Sequence, residues 1–344
     1  MNKIKVGILG ATGAVGQRFV QLLENHPYFE LTSLAASEKS ADKTYYKTME
    51  NRWFVDKELP EYAKDILVQE CKPKLDCKLV FSALDSDIAG EIETKFVDNG
   101  YIVSSNSKNH RMDEDVPLLI PEINANHLEL INGRDNFIVT NPNCSTIGLT
   151  LSLAPLYKKF GIKKIFVTTM QALSGAGYPG VSSLDIIDNI VPYISGEEEK
   201  MESEPLKILG ELKNNKINYA DIKISAHCNR VGVKDGHLET VSFELDEKPT
   251  IEEIKDELRN FNPLKDLNLP TSPKQPIIIN DKDNRPQPKY DKYEGNGMSC
   301  VVGRIRKCNI LDYKMVLLSH NTIRGAAGGA ILNAELLYNK GMIR

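Results

Sequence analysis

Apolar positions along the chain fall into short blocks whose period changes with position. Residues 3–9 alternate toward an apolar strand, and after the glycines of 10–16 the apolar positions of 17–24 recur at helical spacing. Residues 31–36, 79–83, 101–104 and 137–140 predict further strands, with helix-like stretches between several of them, and 147–157 reads as an apolar helix. Strands that alternate with helices predict an α/β fold with a parallel, doubly wound sheet of Rossmann type. Beyond about residue 162 the character changes. Residues 165–170, 221–226, 238–245, 297–305 and 313–319 read as strands separated by long irregular connections, which predicts a mixed sheet in a second, α+β domain. Residues 325–337 are alanine-rich and helical, whereas 270–293, with five prolines, carries no usable periodicity and reads as an ordered excursion.

Composition narrows the function classes. A chain of 344 residues is one large or two ordinary domains, and its 41% hydrophobic and 26% charged residues are ordinary globular usage. With 43 basic and 47 acidic residues the net charge is −4, without a long basic run, which disfavours a nucleic-acid partner. The first apolar run is too short for a signal peptide, and no stretch approaches the roughly 20 apolar residues that span a bilayer. A cytoplasmic protein acting on small molecules is expected, with no membrane association. The six cysteines form no C-x-x-C pair and no cluster at zinc spacing, so reduced thiols and no metal are expected.

Two motifs carry chemistry. Gly10-Ala-Thr-Gly13-Ala-Val-Gly16 lies between the first strand and the first helix, where backbone N–H groups and the helix N-terminus meet a pyrophosphate. Gly10, Thr12, Gly13, Ala14, Val15 and Gly16 are therefore candidate cofactor residues. At the end of the second strand, Ser37, Lys39 and Ser40 suit a 2′-phosphate and favour NADP over NAD, with Glu38 the acid that would otherwise serve a ribose. Ser82, closing the strand 79–83, is a further candidate. The second motif is Asn141-Pro-Asn-Cys144-Ser-Thr, which places a cysteine at a helix N-terminus, where the dipole and free N–H groups favour a thiolate. The cysteines at 71, 77, 300 and 308 read as inert. His26 and His127 read as surface residues.

Together with these two motifs, Ser105-Asn-Ser-Lys-Asn-His-Arg111, Thr168-Thr-Met-Gln171-Ala-Leu-Ser-Gly-Ala-Gly177 and Asn321-Thr-Ile-Arg-Gly-Ala-Ala-Gly328 resemble the aspartate-β-semialdehyde dehydrogenase family, in its archaeal and fungal branch. The resemblance runs through essentially the whole chain. It implies a Rossmann domain over 1–143 completed by a returning helix in 323–344, and a catalytic and dimerisation domain over 144–322. It also implies NADP, a homodimer or homotetramer, and reversible conversion of aspartyl phosphate to aspartate semialdehyde through a thioester. Cys144 would be the nucleophile, His237 the acid/base seven residues after Arg230, and Gln171 the residue orienting the intermediate. Arg230 would hold the substrate carboxylate, Glu197 its amino group, and Arg111 and Lys200 the phosphate. Ser174, Gly175 and Asn321 would lie beside the nicotinamide. Alternatives are a malonyl-CoA reductase or an N-acetyl-glutamyl-phosphate reductase of related chemistry, or a non-catalytic NADP sensor.

Overall fold

The structure is a computed structural model describing residues 3–343, so residues 1, 2 and 344 of the expected first domain lie outside the described residues. Strands β1 (Ile4–Leu9), β2 (Phe29–Ala36), β3 (Val68–Glu70), β4 (Leu79–Ser82), β5 (Ile102–Ser105) and β6 (Ile138–Thr140) form one parallel sheet in the order β3-β2-β1-β4-β5-β6. β4 and β5 are buried at every position, which is why they read in the sequence as apolar runs rather than alternations. The strand order reverses between β1 and β4. Ligands of such sheets bind outside the carboxyl ends of the strands at that point.

The second sheet contains β7 (Ile162–Gln171), β10 (Lys223–Arg230), β11 (His237–Leu245), β12 (Ile277–Asn280), β13 (Cys300–Lys307) and β14 (Tyr313–Ser319), in the order β10-β7-β11-β14-β13-β12. A small hairpin, β8 (Glu211–Lys213) and β9 (Lys216–Asn218), stands apart. The β10–β7 and β12–β13 pairs are parallel and the others antiparallel, so the sheet is mixed. The helices Cys144–Phe160, Glu197–Ile208 and Ile251–Asn260 cover one face, burying Leu149, Leu153, Met201 and Ile254 with Val167, Val241 and Phe243. The opposite face keeps the alternate residues accessible, Phe166 among them.

The chain then returns to the first sheet. Residues Ile323–Ala327 make a π-helical turn, and the helix Gly328–Asn339 buries Ile331, Leu332, Leu336 and Leu337 in the same core as Val6, Ile8 and Phe81. Arg324 anchors this return: its two terminal nitrogens donate to the two oxygens of Glu122 at 2.7 Å each, with both side chains fully enclosed.

Several expectations needed adjustment. The first helix spans Ala14–Leu22, beginning inside the glycine motif, because Gly13 serves as its N-cap. The expected strand at 221–226 runs on to Arg230, and the aperiodic 270–293 contains the edge strand β12 and a short helix, Pro288–Asp291. His26 and His127 are buried rather than superficial. His26 Nε2 lies 2.9 Å from Glu335, and His127 bridges Asn124 and the carbonyl of Gly210, so each satisfies polar groups inside the fold.

Substitution Arg324→Met strands the Glu122 carboxylate in the core and is expected to cost about 3–5 kcal/mol in a urea titration. The double variant Glu122→Leu/Arg324→Met should recover much of that loss, because the uncompensated charge is gone.

Candidate active site

The carboxyl ends of the first sheet open into a cleft of two chambers. The outer chamber, about 430 Å3, is walled by Gly10, Thr12, Gly13, Ser37, Glu38 and Lys72 among others. The inner chamber, about 500 Å3, reaches Arg111, Cys144, Gly175 and Asn321. Both share Gly13, Ala83, Leu84 and Asp85, so the glycine turn stands at their junction. The residues present fit a dinucleotide. A Cβ on Gly16 would lie 2.2 Å from the Gly10 carbonyl oxygen, so only glycine lets the helix sit this close to the turn. No side chain caps that helix, which leaves its N-terminal N–H groups for a pyrophosphate.

Cys144 opens the helix Cys144–Phe160 at the inner end. The Asn143 side chain caps this helix, its Oδ1 accepting from the N–H groups of Ser145 (3.0 Å) and Thr146 (3.3 Å). Gly325 abuts the nucleophile candidate from the returning π-turn. A Cβ there would lie 2.7 Å from that of Cys144, so a glycine is required. Across the chamber, sheet register gathers the other groups. Gln171 ends β7, Arg230 ends β10 in register with it, and His237 begins the antiparallel β11, whose Leu238 pairs with Met170. All three side chains therefore emerge at one end of the sheet.

His237 Nε2 lies 3.1 Å from Cys144 Sγ, and the backbone N–H of Ala172 donates to His237 Nδ1 at 3.0 Å. Because Nδ1 accepts, a neutral ring carries its proton on Nε2, pointed at the sulfur. Enclosure, and then the Arg230 charge, push the imidazole down to about 3, so the ring is neutral at physiological pH. The thiol is pushed up to about 12 by burial and by Glu197, against the opposing pull of Arg230, Arg111 and Lys200. The helix N-terminus thus sits where the sequence places it, but desolvation of the partly buried sulfur and the Glu197 charge raise the thiol against it.

Glu197 is the acid that binds this constellation together. It accepts from Lys200 Nζ (2.7 Å), Asn143 Nδ2 (3.0 Å to each oxygen) and Gln171 Nε2 (3.1 Å). Burial opposes its charge, yet Lys200 and these donors hold its carboxyl below the usual range. Glu198 instead accepts from the N–H of Cys228, so of these two neighbours it is Glu197 that is tied to Asn143 and Gln171. Arg230 donates to the Ala172 carbonyl at 2.7 Å, and Arg111 donates to Glu204 at 2.8 Å and to the Asn106 carbonyl at 2.6 Å.

Known proteins share this arrangement of domains. A family model described as the semialdehyde dehydrogenase NAD binding domain matches residues 5–131, and one described as its dimerisation domain matches 153–324. The aspartate-semialdehyde dehydrogenase of Archaeoglobus fulgidus is 53% identical over 348 residues, covering 99% of this chain and 100% of that protein. The chain belongs to the aspartate-semialdehyde dehydrogenase family. The Saccharomyces cerevisiae member is 46% identical, with 98% of each chain covered. The crystal structure of the Candida albicans family member with NADP superposes with a TM-score of 0.92 at 45% identity, covering 99% of this chain and 100% of that one.

Within this family fold, Cys144, His237, Gln171, Glu197, Lys200 and Arg230 form one linked cluster, with Arg111 on the chamber wall. Ser174 Oγ accepts from Asn321 Nδ2 at 2.8 Å, beside Gly175 in the same wall. At the outer end the match is looser. Ser37 lines the chamber, but Lys39 is exposed and Ser40 is turned inward. The Ser82 side chain is sealed inside the sheet, and the wall is made by Ala83, Leu84 and Asp85 after it.

Sequence reading missed the residues that hold Arg111. Glu204 receives Arg111 and also the Asn143 N–H (2.7 Å). Lys207 Nζ donates to the carbonyls of Arg111, Asp113 and Val116 at 2.7–2.9 Å, pinning that loop from behind. A signal was present for Glu204: residues 197, 201, 204 and 208 recur at helical spacing and are all buried.

Iodoacetamide labelling of Cys144 in the ligand-free protein, followed peptide by peptide, should accelerate with pH to a midpoint above the roughly 8.5 of a free cysteine. Glu197→Gln removes the charge that opposes the thiolate and should lower that midpoint. A midpoint below neutrality in the wild type would contradict the burial argument.

Proposed function

We propose that the chain catalyses reversible, NADP-dependent reductive dephosphorylation of L-4-aspartyl phosphate to L-aspartate 4-semialdehyde through a thioester on Cys144, in the biosynthesis of lysine, threonine, methionine and isoleucine. The observation that carries this reading is the 3.1 Å Cys144–His237 contact at the inner end of a dinucleotide cleft, ringed by Arg111, Lys200, Arg230 and Glu197.

Arg230 offers a planar guanidinium to the substrate carboxylate, and Glu197 an anion to its amino group. Arg111 and Lys200 hold the phosphate. In the biosynthetic direction the Cys144 sulfur bonds to the acyl carbon, the bond from that carbon to the phosphate oxygen breaks, and the thiol proton departs with the phosphate. The thiol proton passes to the phosphate oxygen as the carbon–sulfur bond forms, and the Nε2–H of His237 hydrogen-bonds the sulfur while its charge develops, which is the part of the expected acid/base role that this tautomer supports. Bound NADP(H) supplies or accepts the hydride at the same carbon. As the aldehyde forms, the carbon–sulfur bond breaks and the leaving thiolate is received by a hydrogen bond from the Nε2–H of His237, one proton taken up from solvent then restoring the thiol. Gln171, tied to Glu197, orients the acyl group without titrating.

On this reading residues 1–143 with 323–344 serve the cofactor, and 144–322 serve catalysis and dimerisation, in a cytoplasmic enzyme. The open face of the second sheet is then the surface on which two copies meet. There Phe166 is 45% and Ile310 92% exposed, beside a groove of about 460 Å3 walled by Lys164, Ile224 and Leu311.

Mixing the protein with aspartate semialdehyde, phosphate and NADP⁺ should generate NADPH only when all three are present. Phosphate-independent turnover of malonyl-CoA would overturn the assignment. Cys144→Ala should lower kcat by about 10⁴-fold or more while NADP still binds, and His237→Asn should lower it by about 10²–10⁴-fold. Phe166→Asp is expected to shift sedimentation from dimer to monomer; an unchanged sedimentation coefficient would remove that face from the interface.

A further inference from the structure

Arg111 sits in a segment that has little structure of its own. Residues 106–117 belong to no strand or helix, and the turn bonds inside them are long: Arg111 N–H to the Lys108 carbonyl, Asp113 N–H to His110 and Val116 N–H to Asp113 each measure 3.3 Å. The start of the segment is tied to the helix Ser86–Asp98, where Ser105 Oγ donates to the buried Glu93 at 2.8 Å and Asn109 Nδ2 to the Ser86 carbonyl at 3.0 Å. Further along, the short bonds come from Lys207. Its Nζ donates to the carbonyls of Arg111 (2.8 Å), Asp113 (2.7 Å) and Val116 (2.9 Å), and the side chain is only 1% exposed. An ammonium has three N–H donors, so each carbonyl takes one.

The spacing of Glu197, Lys200, Glu204 and Lys207 puts them on one face of the helix Glu197–Ile208. The first two belong to the cluster around Cys144, the third holds the Arg111 side chain, and the fourth holds the main chain from which that side chain projects. We propose, on the assignment of the phosphate to Arg111 made above, that Lys207 is a positioning residue for it: the ammonium fixes the main chain of 111–116, and phosphate affinity falls when that charge is lost. A neutral amine keeps two N–H donors, so one of three carbonyls would lose its partner and the other two would lose a charged one. Burial pushes the Lys207 ammonium down to about 8, against the opposing pull of Asp113, Asp115 and Glu204. The charge is therefore present at neutrality and lost as pH rises through that value. His127, whose packing brings it near Lys207, is itself held below its usual range by burial, so it stays neutral across the same interval.

Steady-state assays of the full-length protein in the phosphate-consuming direction, with aspartate semialdehyde and NADP⁺ saturating, test it. The wild-type KM for phosphate, expressed for the dianion, should rise by about threefold or more as pH passes through about 8. In Lys207→Met that KM should already be raised about tenfold or more near neutrality and show no further rise, with kcat and NADP affinity within about threefold of wild type. Retained NADP binding reports an intact fold; if the Met variant does not bind NADP, Lys207→Gln, which keeps two N–H donors, should raise the phosphate KM by about threefold. A wild-type KM that stays level through this interval overturns the proposal. So does a Met variant that keeps the same rise, or one that loses kcat with the phosphate KM unchanged. Arg111→Ala separates this from the reading beneath it, since a phosphate KM unchanged in that variant would overturn the phosphate assignment of Arg111 itself.

Discussion

Everything at the inner end of the cleft depends on the N-terminus of the helix Cys144–Phe160 being held between two sheets. Asn143 caps that helix with its side-chain oxygen while its amide nitrogen and backbone N–H reach Glu197 and Glu204 on the helix Glu197–Ile208. Glu197 in turn takes Lys200 and Gln171, and Glu204 takes Arg111. One buried asparagine thus couples the position of the sulfur to the charged and polar groups around it. Polar networks of this kind rigidify a site, because moving any member strands another in low dielectric.

The balance of charge within that network sets the state of the thiol. Three cations and a helix terminus favour a thiolate, while burial and Glu197 oppose it and prevail. The main-chain N–H of Ala172 adds a constraint that no side chain supplies, committing His237 to donate through Nε2. An imidazolium would have to break that bond and would face Arg230 in the same enclosure, so a thiolate–imidazolium resting pair is disfavoured.

The second constraint is the chain's return. Cys144 is touched by Gly325, in a turn that begins the helix buried in the first sheet's core, and Arg324 beside it is clamped to Glu122. The cleft is therefore closed from behind by a segment distant in sequence from the Cys144, Glu122 and core strands it touches. Asn141 Nδ2 lies 3.1 Å from the Asn106 side-chain oxygen and 3.4–3.5 Å from the carbonyls of Gly325 and Ala326, where all three segments converge.

Much of this was legible in local pattern. Alternation and apolar runs marked most strands of both sheets, since each strand has to bury a face or both faces. The glycine turn and Asn-Cys-Ser stretch could be read because a tight turn and a helix cap depend on neighbouring residues alone. Resemblance pointed to His237 as the acid/base, a choice that periodicity does not make. Position in three dimensions decided the rest. The polar residues of 197–208 look like a solvated helix face, yet Glu197, Glu204 and Lys207 are buried because their partners come from residues 106–143 and 171. His26 and His127 are interior for the same reason, and Lys72 enters the cofactor wall only through the register of β2 with β3. The sequence by itself determined the elements and the residue types able to do the chemistry, because both follow from short-range sterics and burial. Only the tertiary structure decided which charges meet, which way the imidazole proton points and whether the thiol rests protonated, because those depend on desolvation and on partners far away along the chain.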